Sequence, residues 1–402
     1  MPKSAPPQPK SFLFLIISLV IFLILSLFAF YSWTQTQARL RQSQSDYQSL
    51  LDLKNNLDTS LASASAELNL VKSEDQFVKN NQLQSEVKDI KSGFSQALKL
   101  YEDIVDLRDS RVRVSTIEPL FSSVLSDLSQ FKYSQSLSKI ATLSAKVTQE
   151  RQKSLAVVGS VNPDNVTENN TPPGSGFSRQ KVKVGDSFFV VDIVAADLNS
   201  TRVIVDTASE GDSADNCPVL PLGTYVSRNG AFAGINGSYF CPASYPSCAS
   251  KKNSFDTLLM NKNKKYFNSD NNVYSTVPAV IFSGASARFV TQSQQWGRDT
   301  GVDSVLANYP LLVFNKSLAA GDSSDTKLSA AGNRAFIAAK GSTVYIGVVR
   351  GVSVVGAAKV LLEMGMDNAL NLDSGGSTAL WSGGYKYGPG RDIPNAILFV
   401  RK

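Results

Sequence analysis

Hydrophobic and polar positions divide this chain into stretches of different texture. Residues 12–31 are almost entirely apolar and carry no charged side chain. About twenty consecutive apolar residues are what a helix needs to cross a bilayer, and the run is longer than the core of a cleaved signal peptide. The pattern predicts a short tail over 1–11 and an uncleaved transmembrane helix over 12–33, with a signal peptide as the alternative interpretation.

The orientation of this helix is judged from the charges that flank it, the chain lengths on its two sides and the cysteine usage. Lys3 and Lys10 precede the apolar run, whereas Arg39 and Arg41 follow it at a greater distance. Positive charge close to a membrane helix favours the cytoplasmic side. Cysteines occur only far downstream of the helix. We therefore predict a cytoplasmic amino terminus and an extracytoplasmic C-terminal region.

Residues 34–155 contain almost no glycine or proline and repeat their apolar positions with alternating spacings of three and four. The first series is Leu50, Leu57, Leu61, Ala64, Leu68 and Val71, and the second is Leu83, Val87, Ile90, Phe94, Ala97, Tyr101 and Ile104. This rhythm is typical of a coiled-coil seam or an antiparallel helical bundle. One further helix is predicted through Val124–Val147. We interpret the whole stretch as a helical stalk that is able to form a homo-oligomer.

Beyond the stalk, the composition changes twice. Residues 156–178 are rich in Asn, Thr, Pro and Gly without periodicity, which predicts a flexible linker. From Arg179 to the end, short apolar and alternating runs predict strands, among them 279–283 and 311–314, with a helix over 354–364. These elements predict an α+β domain with a mixed β-sheet core over 179–402.

Charge and residue content exclude several kinds of function. The net charge of +6 is spread along the chain rather than concentrated, so nucleic acid is not a predicted partner. The chain contains no histidine, which excludes a Ser-His-Asp triad and any histidine metal site. Acid–base chemistry, if the chain performs it, falls to carboxylates, Lys, Tyr or Cys.

Three cysteines, Cys217, Cys241 and Cys248, lie in the C-terminal region. Outside the cytoplasm, one disulfide and one remaining thiol are expected. Cys241 with Cys248 would close a short loop, and Cys217 with either of them is the alternative.

The stretch from Asn368 to Trp381 carries the clearest chemistry in the chain. Its apolar run ends abruptly at Asp373, which is followed by Ser-Gly-Gly-Ser. This order predicts a buried strand that presents a carboxylate at its end, followed by a turn whose exposed amides suit an anion.

Five motifs of the C-terminal region, taken in order, resemble one known family. They are LPLGTYVSRNGAFAGINGSYF, ANYPLLVFNKS, NRAFIAAKGSTVYIGVV, VGAAKVLLEMGMDNALNLDSGGSTALW and RDIPNAILFV. The series resembles the phosphodiester glycosidases, a family that includes N-acetylglucosamine-1-phosphodiester α-N-acetylglucosaminidase and bacterial exopolysaccharide-associated members. The resemblance covers roughly residues 185–402 and neither the predicted anchor nor the stalk.

The resemblance implies hydrolysis of the bond between a sugar C1 and a phosphodiester oxygen. The matching positions are Asn236, Arg334, Asp373, Gly375, Gly376, Ser377 and Arg391. It implies that Asp373 is the catalytic base or nucleophile and that Asn236 binds a sugar hydroxyl or orients that carboxylate. Arg334 or Arg391 would hold the phosphate together with the amides of the glycine turn, and Ser377 would add a substrate contact. Asp192, Asp206 and Asp392 remain as spare carboxylates.

Two positions depart from the family pattern. Ser374 replaces the first glycine of a glycine triplet, which predicts a narrower range of turn geometry. Arg350 stands where members often carry an Asp-Gly-Arg sequence, which predicts the loss of an acidic site residue.

We therefore predict a membrane-anchored extracytoplasmic hydrolase of a sugar-1-phosphodiester in envelope or exopolysaccharide metabolism. Its partners would be a carbohydrate or sugar-phosphate polymer and the membrane through 12–33. The alternative is a non-catalytic glycan- or polymer-binding module on a coiled-coil stalk. The residues leave the sugar, the aglycone and any cofactor open.

Overall fold

A computed structural model describes residues 10–73, 75–109, 112–159, 166–270 and 274–402. Most of the predicted tail over 1–11 and residues 160–165 of the predicted linker lie outside the described residues. The chain divides after Lys88 into two compact units, the second of which runs from Asp89 to Lys402.

The first unit is helical. It contains α1 (Lys10–Ser73) and the first part of α2 (Asp75–Asp109). The amino-terminal part of α1 is long and apolar enough to be a membrane span, a criterion that a signal sequence also meets. The seam residues Leu50, Leu57 and Leu61 are exposed in the single chain, so the coiled coil stays a prediction.

The remainder of α2 belongs to the second unit, together with α3 (Glu118–Ser129) and α4 (Tyr133–Gly159). We call the described residues between 89 and 159 the helical cap. Its helices bury their own core, which consists of Ala97, Leu100, Ile104, Leu107, Val114, Ile117, Val124, Leu128, Ile140, Leu143 and Val147. The predicted stalk over 34–155 is thus divided, and its second half packs in the same unit as the C-terminal strands.

The single helix predicted through Val124–Val147 is two helices. The chain turns between α3 and α4 at Phe131, whose φ of 60° lies in the left-handed region and ends the helical path. Phe131 is also exposed, whereas Leu128 and Ile140 on either side are buried. The apolar spacing alone did not reveal the turn because Phe131 fits the same series.

Seventeen strands are described in the C-terminal region. In chain order, β1 to β17 are Gly176–Val184, Ser187–Asp197, Thr201–Thr207, Ala233–Asn236, Leu259–Met260, Tyr266–Phe267, Ala279–Ser283, Ser286–Val290, Ser304–Ala307, Leu311–Phe314, Ser317–Leu318, Gly332–Lys340, Thr343–Val352, Asn368–Asn371, Leu380–Ser382, Tyr385–Tyr387 and Asn395–Arg401. Between them lie α5 (Leu222–Arg228), α6 (Thr326–Ser329) and α7 (Val354–Glu363). The strands predicted at 279–283 and 311–314 and the helix predicted from 354 are confirmed.

These strands form three sheets with the orders β1-β2-β13-β12-β14-β10-β11, β16-β15-β4-β17-β3 and β6-β5-β9-β7-β8. Every pairing described between the named strands is antiparallel, so the α+β class is confirmed and the expected mixed sheet is corrected. Hairpins account for the pairs that follow each other in the chain, such as β1–β2, β7–β8 and β12–β13, because short turns can join only antiparallel neighbours. One core, which includes Ile235, Ile337 and Leu370, lies between the sheets.

The arrangement of the first two sheets positions the candidate site. Strand β14 lies inside the first sheet and β15 lies beside β4 in the second. The chain between them, from Leu372 to Ala379, therefore crosses from one sheet to the other. Asp373 sits on this crossing segment, as the sequence predicted for a carboxylate at the end of a buried strand.

The cysteine pairing is the first of the two predicted alternatives. Cys241 and Cys248 form a disulfide with their Cα atoms 5.5 Å apart, and Cys217 is a buried free thiol. The disulfide closes a loop that contains Tyr245, a residue that contacts the helical cap.

Candidate active site

Hydrogen bonds hold the main chain of Asp373 in place, and its side chain lines a cavity. Its amide donates to the carbonyl oxygen of Gly237 at 3.0 Å, which ties it to the end of β4. One carboxylate oxygen accepts from the amide of Ser374 at 2.8 Å, and the Ser377 hydroxyl bonds the same carboxylate. The sequence therefore placed Asp373 correctly at the end of a buried strand, beside the turn.

The pKa of Asp373 is raised to about 6, chiefly because the surrounding protein shields the carboxylate from water. The bonds from Ser377 and Ser374 and the charge of Arg391 oppose this effect, whereas the charge of Asp106 adds to it. Part of the side chain remains accessible from the cavity. Near neutral pH most of the carboxylate is ionised, and it is far more basic than an ordinary aspartate.

Asn236 lies at the end of β4 and is fully buried. Its Nδ2 donates to the carbonyl oxygen of Asp373 at 2.6 Å, and its Oδ1 accepts from the amide of Ala379 at 3.0 Å. Both of its polar ends are used by the main chain, and Asn236 does not line the cavity. Of the two predicted roles of Asn236, its contacts favour orientation of the segment that carries the carboxylate over a bond to a sugar hydroxyl.

The cavity beside Asp373 has a volume of about 310 Å³. Most of its wall comes from four regions, which are the segment after β4, the segment that leads into β12, the segment after β14 and the helical cap. Its charged lining residues are Asp106, Arg151, Asp325, Lys327, Arg334, Asp373 and Arg391. Aromatic rings of Tyr239, Tyr245 and Tyr309 complete it. Such a mixture of rings and charges suits a polar ligand with an anionic group.

Arg334 is buried and is held by main-chain oxygens. Its Nε donates to the carbonyl of Val352 at 3.1 Å, and its Nη2 donates to the carbonyls of Lys327 at 2.9 Å and of Ala330. Among the described residues no carboxylate forms an ion pair with Arg334. Burial lowers the pKa of Arg334. A guanidinium fixed in this way is a cation whose charge is available to the cavity.

Arg391 has a different environment from the one predicted. Its Nη2 lies 2.8 Å from a carboxylate oxygen of Asp106 and 2.8 Å from one of Asp109, both on α2. Burial alone would lower the pKa of Arg391, but Tyr245 and the carboxylates around it raise it overall. Of the two arginines predicted to hold the phosphate, Arg334 therefore fits the role better, because two cap carboxylates already pair with Arg391.

The two glycines of the turn, Gly375 and Gly376, differ in their exposure. Gly375 is exposed to the cavity and has a φ of 68°, a conformation that side chains other than glycine rarely adopt. Gly376 is buried, and a Cβ there would lie 2.3 Å from Nη2 of Arg391. Ser377 lines the cavity beside them. Of the predicted anion-binding set, Gly375 and Ser377 face the cavity, whereas Gly376 makes room for Arg391.

Tyr239 is a site residue that sequence reasoning missed. Its hydroxyl accepts from Nδ2 of Asn371 at 2.5 Å, and its amide donates to Oδ1 of Asn308 at 3.0 Å. Burial and the charge of Asp373 raise the pKa of Tyr239, so its hydroxyl stays protonated. Its position inside the motif that begins at Asn236 was the available signal, but a tyrosine in a turn carries no chemistry by itself.

The two departures from the family pattern lie in different environments. Ser374 has a φ of −136°, an extended conformation open to any residue, so the observed turn does not require glycine at this position. Its hydroxyl donates to the carbonyl of Leu372 at 3.2 Å and accepts from the amide of Ala335 at 3.3 Å. Arg350 is buried outside the cavity, and its Nε lies 2.7 Å from Asp192.

The spare carboxylates have other partners. Asp192 pairs with both Arg350 and Arg179, and Asp206 accepts from Arg228 at 2.7 Å. Neither lines the cavity. Within the described ranges no group of three His, Cys, Asp or Glu residues is placed to hold a metal ion. Asp106 and Asp325 also line the cavity, and of these two only Asp106 affects the pKa of Asp373; it belongs to the cap and was not a predicted site residue.

Comparison with known proteins places these observations in a family context. Residues 229–400 match the sequence model of the phosphodiester glycosidase family. The resemblance drawn from the ordered motifs is confirmed over that range. No curated protein matches the chain.

Solved structures with a similar arrangement come from distant organisms. A hypothetical protein from Synechocystis is 14% identical with a TM-score of 0.38, and the alignment covers 56% of this chain and 62% of that one. The zebrafish N-acetylglucosamine-1-phosphodiester α-N-acetylglucosaminidase catalytic domain, auto-inhibited by its pro-peptide, is 12% identical with a TM-score of 0.44, covering 59% and 87%. An exported protein from Burkholderia pseudomallei is 10% identical with a TM-score of 0.36, covering 53% and 74%. The alignment therefore spans less than two thirds of the Synechocystis protein.

Proposed function

We propose, on the match of residues 229–400 to the phosphodiester glycosidases, that this chain hydrolyses a sugar-1-phosphodiester. The observation that carries the proposal is that the basic carboxylate of Asp373 and the cation of Arg334 line one cavity. A carboxylate can activate water for attack on the sugar carbon or attack that carbon itself. A cation that forms no ion pair with a carboxylate can bind the phosphate.

The proposed reaction breaks the bond between C1 of the sugar and the bridging oxygen of the phosphodiester. Water adds its oxygen to C1 and gives a free sugar, and the bridging oxygen leaves with its electron pair as part of a phosphate monoester. The second pKa of such a monoester is about 6, so the departing group needs little help from a general acid. The demands on the protein are therefore to hold the anion and to activate water or stabilise the sugar cation.

In this scheme Asp373 is the base or the nucleophile. A carboxylate with a pKa of about 6 is mostly ionised at neutral pH, yet it accepts a proton more readily than an unperturbed aspartate. Ser377 and the amide of Ser374 hold its orientation. Asn236 is a positioning residue, because it acts on the main chain of Asp373 and does not reach the cavity.

Arg334 is the proposed phosphate-binding residue, with Gly375 and Ser377 beside it on the cavity wall. Its carbonyl partners fix the guanidinium before substrate arrives, so little side-chain entropy is lost on binding. Tyr239 keeps its proton and is placed to donate a hydrogen bond to a sugar or phosphate oxygen.

The proposed location is the outer face of a membrane. Residues 12–33 within α1 would anchor the chain with its amino terminus in the cytoplasm, and the region from Asp89 would act on envelope or exopolysaccharide material. Leu50, Leu57 and Leu61 are exposed at heptad spacing, which supports pairing of α1 with another copy of the chain.

The full-length protein in detergent micelles tests the function directly. It is incubated with a panel of sugar-1-phosphodiesters that differ in sugar and aglycone, and free sugar is measured at pH 5 to 8. Release by the wild type and its loss in Asp373→Asn is the expected result. No release from any member of the panel, together with retained binding of a sugar-phosphate polymer, would instead establish a non-catalytic binding module.

A further inference from the structure

Three carboxylates on one face of α2 contact the C-terminal domain. Glu102, Asp106 and Asp109 are spaced four and three residues apart, which places them in line on a helix. Glu102 accepts from the amide of Ser247 at 3.2 Å, inside the disulfide loop. Asp106 and Asp109 accept from Arg391. The face of the helical cap that carries these groups is therefore a built interface rather than the surface of a spacer.

Of the three carboxylates, Asp106 contacts two side chains outside the cap. It accepts from Nη2 of Arg391 at 2.8 Å and also from the hydroxyl of Tyr245. The Arg391 guanidinium in turn lies over the Tyr245 ring, 5.3 Å from its centroid. Arg391, Tyr245 and Asp106 thus form a closed triangle of contacts that joins the cap, the disulfide loop and the segment before β17.

The triangle bears directly on the turn after Asp373. The amide of Arg391 donates to the carbonyl of Gly376 at 2.8 Å, and the guanidinium occupies the space that a side chain at Gly376 would fill. Asp106 and Asp373 both line the cavity, with the Arg391 side chain interacting with both. Whatever holds Arg391 in place also shapes this wall of the candidate site.

We propose that Asp106 is a positioning residue of the active site, supplied by the helical cap, which holds Arg391 against the turn after Asp373. The site is incomplete without the cap, and residues 89–159 are part of the catalytic unit rather than a stalk. The expected effect of Asp106 on the rate of sugar release rests on the proposed function. The expected effect of its charge on the pKa of Asp373 does not.

Several charged and titratable groups face Asp373 from the elements around it. The nearest are Asp106 from α2, Arg391, Ser377 from the same turn, Tyr239 from the segment after β4 and Arg334 from β12. Asp109 from α2 acts through Arg391. Arg151, Asp325 and Lys327 lie elsewhere on the cavity wall. The negative charge of Asp106 raises the pKa of Asp373 and that of Arg391 lowers it. Removal of the charge at 106 takes away a repulsion of Asp373, and Asp109 still contacts Arg391, so the pKa of Asp373 is expected to fall even though Arg391 is less well held.

The test compares Asp106→Asn with Asp109→Asn in full-length protein. Each variant removes one carboxylate from the same Arg391 nitrogen, but only Asp106 lines the cavity. The amide introduced by Asp106→Asn keeps an oxygen that can accept from Tyr245, so the fold is expected to persist. If Asp106→Asn does not fold, Asp106→Gln makes the same charge change.

The first readout does not require turnover. Coupling of a small amine to the carboxyl of Asp373 by a carbodiimide is followed against pH, and the modified residue is identified by peptide fragmentation. Asp106→Asn is expected to lower the midpoint pH at Asp373 by at least about half a unit. Asp109→Asn is expected to shift it less. Equal shifts in the two variants, or no shift in either, would overturn the proposal.

The second readout is the pH profile of kcat/KM for sugar release. In Asp106→Asn the acidic limb of the profile is expected to shift to lower pH, as the labelling midpoint does. The maximum value of kcat/KM is expected to fall because Arg391 is less well held. A variant that is more active than the wild type at every pH would show that the cap obstructs the cavity and would overturn the positioning role. If the wild type releases no sugar, the proposed function fails, and the labelling midpoint still decides whether the charge of Asp106 acts on Asp373.

Discussion

The carbonyl oxygen of Asp373 accepts a hydrogen bond of 2.6 Å from Nδ2 of Asn236, which lies 137 residues earlier in the chain. The other end of the same amide accepts from Ala379, so one buried side chain fixes both ends of the crossing segment between the two sheets. The candidate catalytic carboxylate is thus held through its backbone as well as through its own oxygens.

Asn236→Ala is expected to destabilise the protein by about 2 to 4 kcal/mol, because two buried main-chain groups lose their partner. Activity should fall with it, since the segment that carries Asp373 is released. Urea unfolding followed by tryptophan fluorescence measures the first effect. Asn199→Ala is the control, because Asn199 is exposed and bonds only within its own turn. An equal loss of stability in both variants would contradict the role given to Asn236.

Asp373→Asn is expected to lower kcat by about 10²- to 10⁴-fold, the range for removal of a general base. In the wild type, kcat/KM should fall as the pH drops through about 6, because protonation removes the carboxylate that the reaction uses. Initial rates of sugar release between pH 4.5 and 8 measure both effects. A wild-type profile that is flat down to pH 4.5 would show that the ionisation of Asp373 does not limit the reaction.

The same substitution should increase stability. The folded-state pKa of Asp373, about 6, lies above the unfolded value of about 3.9. In this range the folded protein holds a proton on Asp373 that the unfolded chain releases, so the contribution of Asp373 to the free energy of unfolding falls as the pH rises from about 4 to 6. Above that window Asp373→Asn should be more stable by about 1 to 2 kcal/mol, less than the full shift implies because cavity water reaches the carboxylate.

Unfolding curves at pH 4 and pH 7.5 test this linkage. The difference between Asp373→Asn and the wild type should be present at pH 7.5 and small at pH 4. Asp392→Asn serves as the control, since Asp392 is exposed beside the same segment and lies outside the cavity. A variant that is less stable than the wild type at pH 7.5 would mean that the carboxylate stabilises the fold.

The disulfide between Cys241 and Cys248 is expected to stabilise the protein by about 2 to 3 kcal/mol, the entropy of closing a loop of this length. Both cysteines lie in one tryptic peptide and Cys217 lies in another. Reduction should therefore add two hydrogens to the first peptide without joining or separating peptides. A peptide that links Cys217 to either of the others would contradict the observed pairing. Cys217→Ala is the matched variant that keeps the disulfide.

Much of the C-terminal fold could be predicted from local pattern. The strands at 279–283 and 311–314 are short apolar runs that end in polar residues, and each sits where expected. Asp373 was identifiable because a buried strand stops abruptly at a carboxylate and glycines follow. These features depend on neighbours in the sequence, so the sequence alone contains the signal for them.

The contacts that complete the site depend instead on tertiary packing. Arg391 and Asp106 are 285 residues apart, and nothing in either motif indicates that they meet. The second apolar series ends in Ala97 and Ile104, which are buried in the cap, although the first series, which includes Leu50 and Leu57, is exposed. The same spacing of apolar residues serves a coiled coil and a small helical core, so periodicity cannot distinguish them.

Ser374→Gly restores the family residue and tests whether the serine limits activity. The wild-type φ of −136° suits any residue, so glycine relieves no strain there. It adds conformational freedom to the unfolded chain and removes a hydroxyl that bonds Leu372 and Ala335. We expect a loss of stability of about 1 kcal/mol and no more than about a twofold change in kcat/KM. Ser374→Ala removes the hydroxyl alone and separates the two contributions. A tenfold gain in kcat/KM for Ser374→Gly, absent in Ser374→Ala, would show that the turn needs a conformation that serine prevents.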